Sequence, residues 1–142
     1  MTKKLESVLL LDDNLATNFL HKKFLEKSEC AERIVDFRSG TNALKYLTQE
    51  GITQPDLILV DINMPIMSAW EFLEEYGKLN ELAENESVVI LLSTSLSPAD
   101  KEKADKVKLI KEVMLKPLTN EGITAIIEKY FGKKIRRTVT KN

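Results

Sequence analysis

Apolar residues fall in short unbroken runs separated by longer stretches with helical spacing. The purest runs are Val8-Leu9-Leu10-Leu11, Leu57-Ile58-Leu59-Val60 and Val88-Val89-Ile90-Leu91-Leu92, with a weaker run in Arg33–Phe37, centred on Ile34 and Val35, and another at Val113-Met114-Leu115. Such short runs, with no polar alternation, read as strands buried on both faces, the mark of a parallel sheet. Between them the period changes. Thr17, Leu20, His21 and Phe24 stand at i, i+3, i+4 and i+7, one face of a helix, with Lys22, Lys23 and Glu26 on the other. Ala43, Leu44 and Leu47 form a second helical stripe, and Trp70, Phe72, Leu73 and Tyr76 a third. The stretch Asp100–Lys108 is a charged helix with a solvated face, and Ile123, Ile126, Ile127 and Tyr130 are the inward side of a last one.

The punctuation agrees with this alternation. Asn14, Ser97 and Thr119 offer side-chain oxygens at helix starts, and Pro98 suits a first helical turn. Ser39-Gly40 breaks the second strand, Gly51 closes the second helix, Pro55 and Pro65 bracket the third strand, and Gly132 is expected to end the final helix. Strand and helix thus alternate five times. The prediction is an α/β fold: a doubly wound five-stranded parallel sheet, (βα)5, with helices on both faces and right-handed crossovers. One domain is expected over residues 1–131. The remainder, 132–142, reads as a basic, apolar-poor solvated tail with no output domain.

The residues that end the strands are polar in a consistent way. The first run stops at Asp12-Asp13, the third at Asp61, the fourth at Ser93-Thr94-Ser95 and the fifth at Lys116-Pro117. In a parallel sheet all these groups share one edge, where open α/β sheets build their sites. Carboxylates crowded together repel one another and call for a cation, and oxygen ligands suit Mg²⁺, with Mn²⁺ as an alternative. A lysine and a hydroxyl beside them suit an anionic group seated on a carboxylate. The economical chemistry is phosphoryl transfer to Asp61, with the metal and Lys116 neutralising charge on the phosphoryl oxygens.

Composition narrows the class. With 142 residues, 43% hydrophobic and 30% charged, the chain is long enough for a real core and too apolar to be disordered. Its net charge of −1 shows no basic bias, so direct DNA binding is not expected. Cys30 is the single cysteine, which fits a reducing, cytoplasmic setting, and no apolar run is long enough for a membrane span. His21, the single histidine, is expected to be a partly buried helix residue, and Trp70 to cover the sheet.

Taken together, Leu-Leu-Leu-Asp12-Asp13, Leu-Val-Asp61-Ile-Asn-Met-Pro65, Leu-Leu-Ser93-Thr94-Ser95 and Leu-Lys116-Pro117 resemble the receiver domain of two-component response regulators, over roughly residues 5–131. The resemblance implies a flavodoxin-like fold. It makes Asp61 the acceptor of a phosphoryl group from a phosphohistidine on a sensor histidine kinase or histidine phosphotransfer protein. It implies that Asp13 and Asp61 bind Mg²⁺ directly, Asn63 through its backbone carbonyl and Asp12 largely through water. Ser93 would bond a phosphoryl oxygen, Lys116 would pair with the group, and the Lys116–Pro117 peptide would be cis. The protein would then act as a monomer or a phosphorylation-dependent dimer on a downstream protein whose identity the sequence does not give, and it would be an enzyme only toward its own phosphorylation and dephosphorylation.

Three positions depart from the usual pattern. Val113 stands where most receivers carry an aromatic residue three before the lysine, Ala69 where a glycine is common, and Ser93 where threonine is also frequent. The alternative reading, a receiver-like interaction module that works without phosphorylation, draws on the first two. A haloacid-dehalogenase-like phosphatase is a third class, but it wants a second acid two residues after the nucleophile, where this chain has Asn63.

Overall fold

The computed structural model describes residues 4–64, 66–83, 87–95 and 97–140, and the side chains of these except at 80–83 and 133–140. Pro65, expected to terminate the third strand, lies outside the described residues, as do residues 141–142 of the expected tail.

Five strands and five helices alternate: β1 (Leu5–Leu11), α1 (Leu15–Ser28), β2 (Ala31–Phe37), α2 (Gly40–Leu47), β3 (Leu57–Asp61), α3 (Ala69–Ala83), β4 (Val88–Ser93), α4 (Pro98–Asp105), β5 (Ile110–Leu115) and α5 (Asn120–Thr140). The strands form one parallel sheet in the order β2-β1-β3-β4-β5. The apolar runs became the three central strands because both of their faces are covered. Every residue of β3 and β4 is buried. Side chains alternate between two cores, as the strand pleat requires. Leu9, Leu11, Ile58, Val60, Val89 and Leu91 pack with Ala43 and Leu47 of α2, Phe72, Leu73 and Tyr76 of α3 and Ala104 of α4. Val8, Leu10, Leu57, Leu59, Ile90 and Leu92 pack on the other face with Leu25 of α1 and Ile123, Ile126 and Phe131 of α5. Burial of each large side chain contributes roughly 1.5–3 kcal/mol.

The expected caps form. Asn14 accepts from the Thr17 amide (2.9 Å) and Thr119 from Gly122 (3.0 Å), and Ser39, read only as a strand break, also caps α2 by accepting from the Asn42 amide (3.1 Å). Ser97 caps α4, with Pro98 in its first turn. Two expectations fail. The inward stripe of α1 is Asn18, His21 and Leu25, while Leu20 is 43% exposed, and His21 is buried rather than partly buried. Polar side chains take the inward positions because backbone groups of β1, β2 and the segment before α5 meet them there. The second failure is the helix end: α5 runs through Gly132 to Thr140. A glycine inside a helix costs only about 1 kcal/mol, and no proline follows it to stop the chain, so the division at residue 131 does not coincide with a helix boundary.

Candidate functional site

The first, third and fifth strands end on one edge of the sheet, and their terminal side chains meet there. Because β1 and β3 are neighbours, Asp12 and Asp61 leave adjacent strand ends; α1 departs after one and α3 after the other. Both carboxylates are 3% exposed, whereas Asp13 is open to solvent. One carboxylate oxygen from each of Asp12, Asp13 and Asp61 lies within 4.8 Å of the others, so the three could hold a metal ion. Lys116, two strands away from β3, reaches back over β4. Its Nζ lies 2.7 Å from Asp12 Oδ2 and 3.1 Å from Asp61 Oδ1.

Backbone contacts aim these groups. The Asn14 amide donates to Asp12 Oδ1 (2.9 Å) and the Asn63 amide to Asp61 Oδ1 (3.2 Å), each fixing a carboxylate against the turn that follows it. The Lys116 amide donates to the Ser93 carbonyl at 2.7 Å, and the Lys116–Pro117 peptide is cis. The Ser93 side chain is buried, and its hydroxyl is engaged locally, bonding the Ser95 carbonyl and accepting from the Ser95 amide at 3.1 Å. Asn63 itself is exposed. Beneath the loop that follows β3, Gly40 opens α2 without a side chain. A Cβ there would meet Met67 Sδ at 2.7 Å, so the glycine lets that loop settle onto α2.

The electrostatics follow from crowding. Burial, and then the neighbouring Asp12 charge, push the Asp61 carboxyl above its ordinary pKa against the opposing pull of Lys116. Burial works against the Lys116 charge, but hydrogen bonds and attraction from Asp12 and Asp61 outweigh it and hold the ammonium above its usual value. The pocket is thus a strained acid pair held by one cation. Its oxygen-only donor set and partial openness fit a hard divalent ion such as Mg²⁺.

The model of the response regulator receiver domain matches residues 8–128. The chain belongs to that family. The receiver is 32% identical to hybrid signal transduction histidine kinase D of Dictyostelium discoideum over 87% of this chain and 8% of that protein. It is also 32% identical to protein-glutamate methylesterase/protein-glutamine glutaminase 3 of Burkholderia thailandensis, over 89% of this chain and 34% of the relative. It therefore spans about a third or less of the length of these two curated relatives. Among solved structures, a two-component response regulator from Cytophaga hutchinsonii superposes with a TM-score of 0.79 at 31% identity, covering 89% of this chain and 97% of that one. The flavodoxin-like architecture and the place in two-component signalling expected from the sequence are therefore the observed ones.

The departures can now be located. Ala69 is the first residue of α3 and fully buried; among the described non-glycine residues only Glu29 has a positive φ, so alanine carries no backbone strain. Val113 lies on β5, packed against the core on the α2–α4 face. Near the receiver's site, Asn18 escaped the sequence reading, and His21 was read as a helix residue without its hydrogen-bond partner. Asn18 donates from Nδ2 to the carbonyls of Asp12 (3.0 Å) and Phe37 (2.9 Å), tying the end of β1 to that of β2. His21 Nε2 accepts from the Leu118 amide at 3.0 Å. Their only signal was two polar residues three apart on a helix that must bury one face.

Proposed function

We propose that Asp61 accepts a phosphoryl group from a phosphohistidine of a sensor histidine kinase or histidine phosphotransfer protein in a Mg²⁺-dependent reaction. The phosphorylated receiver then binds a downstream protein or passes the group along a relay. The observation that carries this reading is the convergence of three carboxylates within 4.8 Å with one lysine in contact with two of them. A structural salt bridge needs one acid, not three, one of which is open to solvent. In the transfer, the Asp61 oxygen forms the new P–O bond as the P–N bond to the donor imidazole breaks, and the imidazole leaves with that electron pair. The Asn63 amide holds the attacking carboxylate in place. Lys116 surrenders its contact with Asp61 and pairs with a phosphoryl oxygen, while the Ser93 hydroxyl turns from Ser95 to another. Asp12, Asp13, Asp61 and the Asn63 backbone carbonyl would hold the Mg²⁺, or Mn²⁺, which when bound supplies positive charge beside the phosphoryl oxygens. With Val113 on β5, the response reaches partners without an aromatic ring at that position.

Among the described residues no helix is long and apolar enough to cross a membrane, and the reading places the receiver in the cytoplasm with its donor. The test is intact mass after incubation with acetyl phosphate, with and without Mg²⁺. A gain of one phosphoryl group that needs the metal supports the reading. A folded protein that gains none from acetyl phosphate or from a phosphorylated histidine phosphotransfer protein overturns it. The ligand set is checked separately. Asp13→Ala should weaken Mg²⁺ binding by about tenfold or more, or ~1.4 kcal/mol, measured by calorimetry. An unchanged affinity would remove Asp13 from the metal site.

A further inference from the structure

The turn that carries Lys116 is held from two sides. On one, the Lys116 amide is bound to the Ser93 carbonyl at the end of β4, 2.7 Å away. Pro117 has no amide hydrogen, so the next donor along the chain is Leu118. That amide donates to His21 Nε2 at 3.0 Å, across 97 residues of sequence. His21 and Leu118 are each 1% exposed. Packing alone does not call for a histidine here: the neighbouring inward residue of α1 is Leu25, and a leucine would fill much the same space. What the imidazole adds is an acceptor in a place water does not reach, where an unpaired amide is costly.

We propose that His21 is a positioning residue for Lys116, its Nε2 fixing the Leu118 amide so that the lysine can span Asp12 and Asp61. This rests on the phosphoryl-accepting reading for its consequence, though not for its geometry. Because Nε2 accepts, the ring is neutral with its proton on Nδ1. Burial lowers its pKa, with the nearby Asp12 charge opposing and Lys116 assisting, so the acceptor form is the one maintained near neutral pH. The lysine therefore reports on α1 as well as on its own strand. A change in the seating of α1 shifts the Leu118 amide and, two residues earlier, the base of the Lys116 side chain.

The test uses the full chain with His21→Leu, which keeps volume and loses the acceptor, and His21→Gln, whose Oε1 reaches about as far as Nε2. Two readouts are taken on folded protein: amine labelling of Lys116 by acetic anhydride relative to the exposed Lys101, and the rate of phosphoryl uptake from acetyl phosphate at saturating Mg²⁺. In His21→Leu, Lys116 labelling should rise severalfold and uptake should slow by about tenfold, the scale of a small misplacement of a charged group. In His21→Gln both should return to within about twofold of wild type. Should His21→Leu fail to fold, His21→Asn, whose amide is too short to reach Leu118, takes its place with the same expectation. Wild-type labelling in the leucine variant, or equal defects in the leucine and glutamine variants, overturns the proposal. Because labelling needs no phosphoryl group, a wild-type protein that takes up none while showing the expected labelling pattern would sink the function and leave the positioning role standing.

Discussion

Asp61→Asn should abolish phosphoryl uptake and at the same time raise the melting temperature of the metal-free receiver. The first effect follows from chemistry, since an amide oxygen does not replace a carboxylate as nucleophile here. The second follows from the pocket. The folded pKa of Asp61 is raised, by burial and then by Asp12. A group of this kind contributes stability that is fully present below its unfolded pKa, about 3.9, and that is lost as pH rises through the folded value. Above the folded value the loss is complete, so the ionised aspartate is a net cost to the fold. Asparagine removes the charge, and its Oδ1 can still accept from Lys116, which keeps Asp12 as its ionic partner at 2.7 Å. The expected gain is on the order of 1 kcal/mol, or about 3–5 °C for a chain of this size. Mg²⁺ should then stabilise wild type more than the variant, because ligand binding adds stability in proportion to affinity for the folded state. Thermal melts of both proteins with and without Mg²⁺ decide the matter. A metal-free variant that melts at or below the wild-type temperature would show that Asp61 is not electrostatically loaded.

This cost explains which parts of the molecule were legible from the chain. The central strands were plain because β3 and β4 are buried on both faces and carry no polar residue until they end. The polar residues at those ends stood out for the same reason: each interrupts an apolar run at the sheet edge where the fold needs no charge. The resemblance to receivers then named their roles, and the structure brings Asp12, Asp13, Asp61 and Lys116 together. The inner face of α1 was read partly off register. Leu20, expected inside, is 43% exposed, while Asn18 lies inside beside His21, both satisfied by backbone groups that arrive from β1, β2 and the turn before α5. Such long-range hydrogen bonds leave no periodic trace. The Ser93 hydroxyl is a similar case: its place at the strand end was readable, but its engagement with Ser95 depends on the local turn. The continuation of α5 past Gly132 shows that a single glycine is a weak stop signal when good helix formers follow.

Lys116→Met should produce the largest stability loss of any change in the pocket, and the loss should depend on pH with a definite sign. Methionine keeps most of the apolar stem and removes the cation, leaving Asp12 and Asp61 facing each other, each 3% exposed. Stripping the partner from a buried ionic group costs roughly 3 kcal/mol or more, which is on the order of 10 °C in melting temperature here. Without the lysine, its hydrogen bond and its attraction no longer hold the Asp61 pKa down and only the Asn63 amide still does, so the folded pKa climbs further. Stability attached to a raised carboxyl is present at low pH and lost as pH rises through the folded value. The gap between wild type and Lys116→Met should therefore be widest near pH 7 and narrow toward pH 5. His21 works in the opposite sense. Its lowered pKa gives stability that is present above about 6.5 and fades as pH falls. Burial, the larger cause of that lowering, is common to both proteins and only the smaller Lys116 contribution is lost in the variant, so the difference between their melting temperatures reports chiefly the acid pair. Mg²⁺ should close much of the gap at pH 7 by restoring positive charge to the pocket. A gap that stays constant from pH 5 to pH 7 would mean that Lys116 stabilises the fold through packing, and the acid pair would lose its place as the source of the pocket's strain.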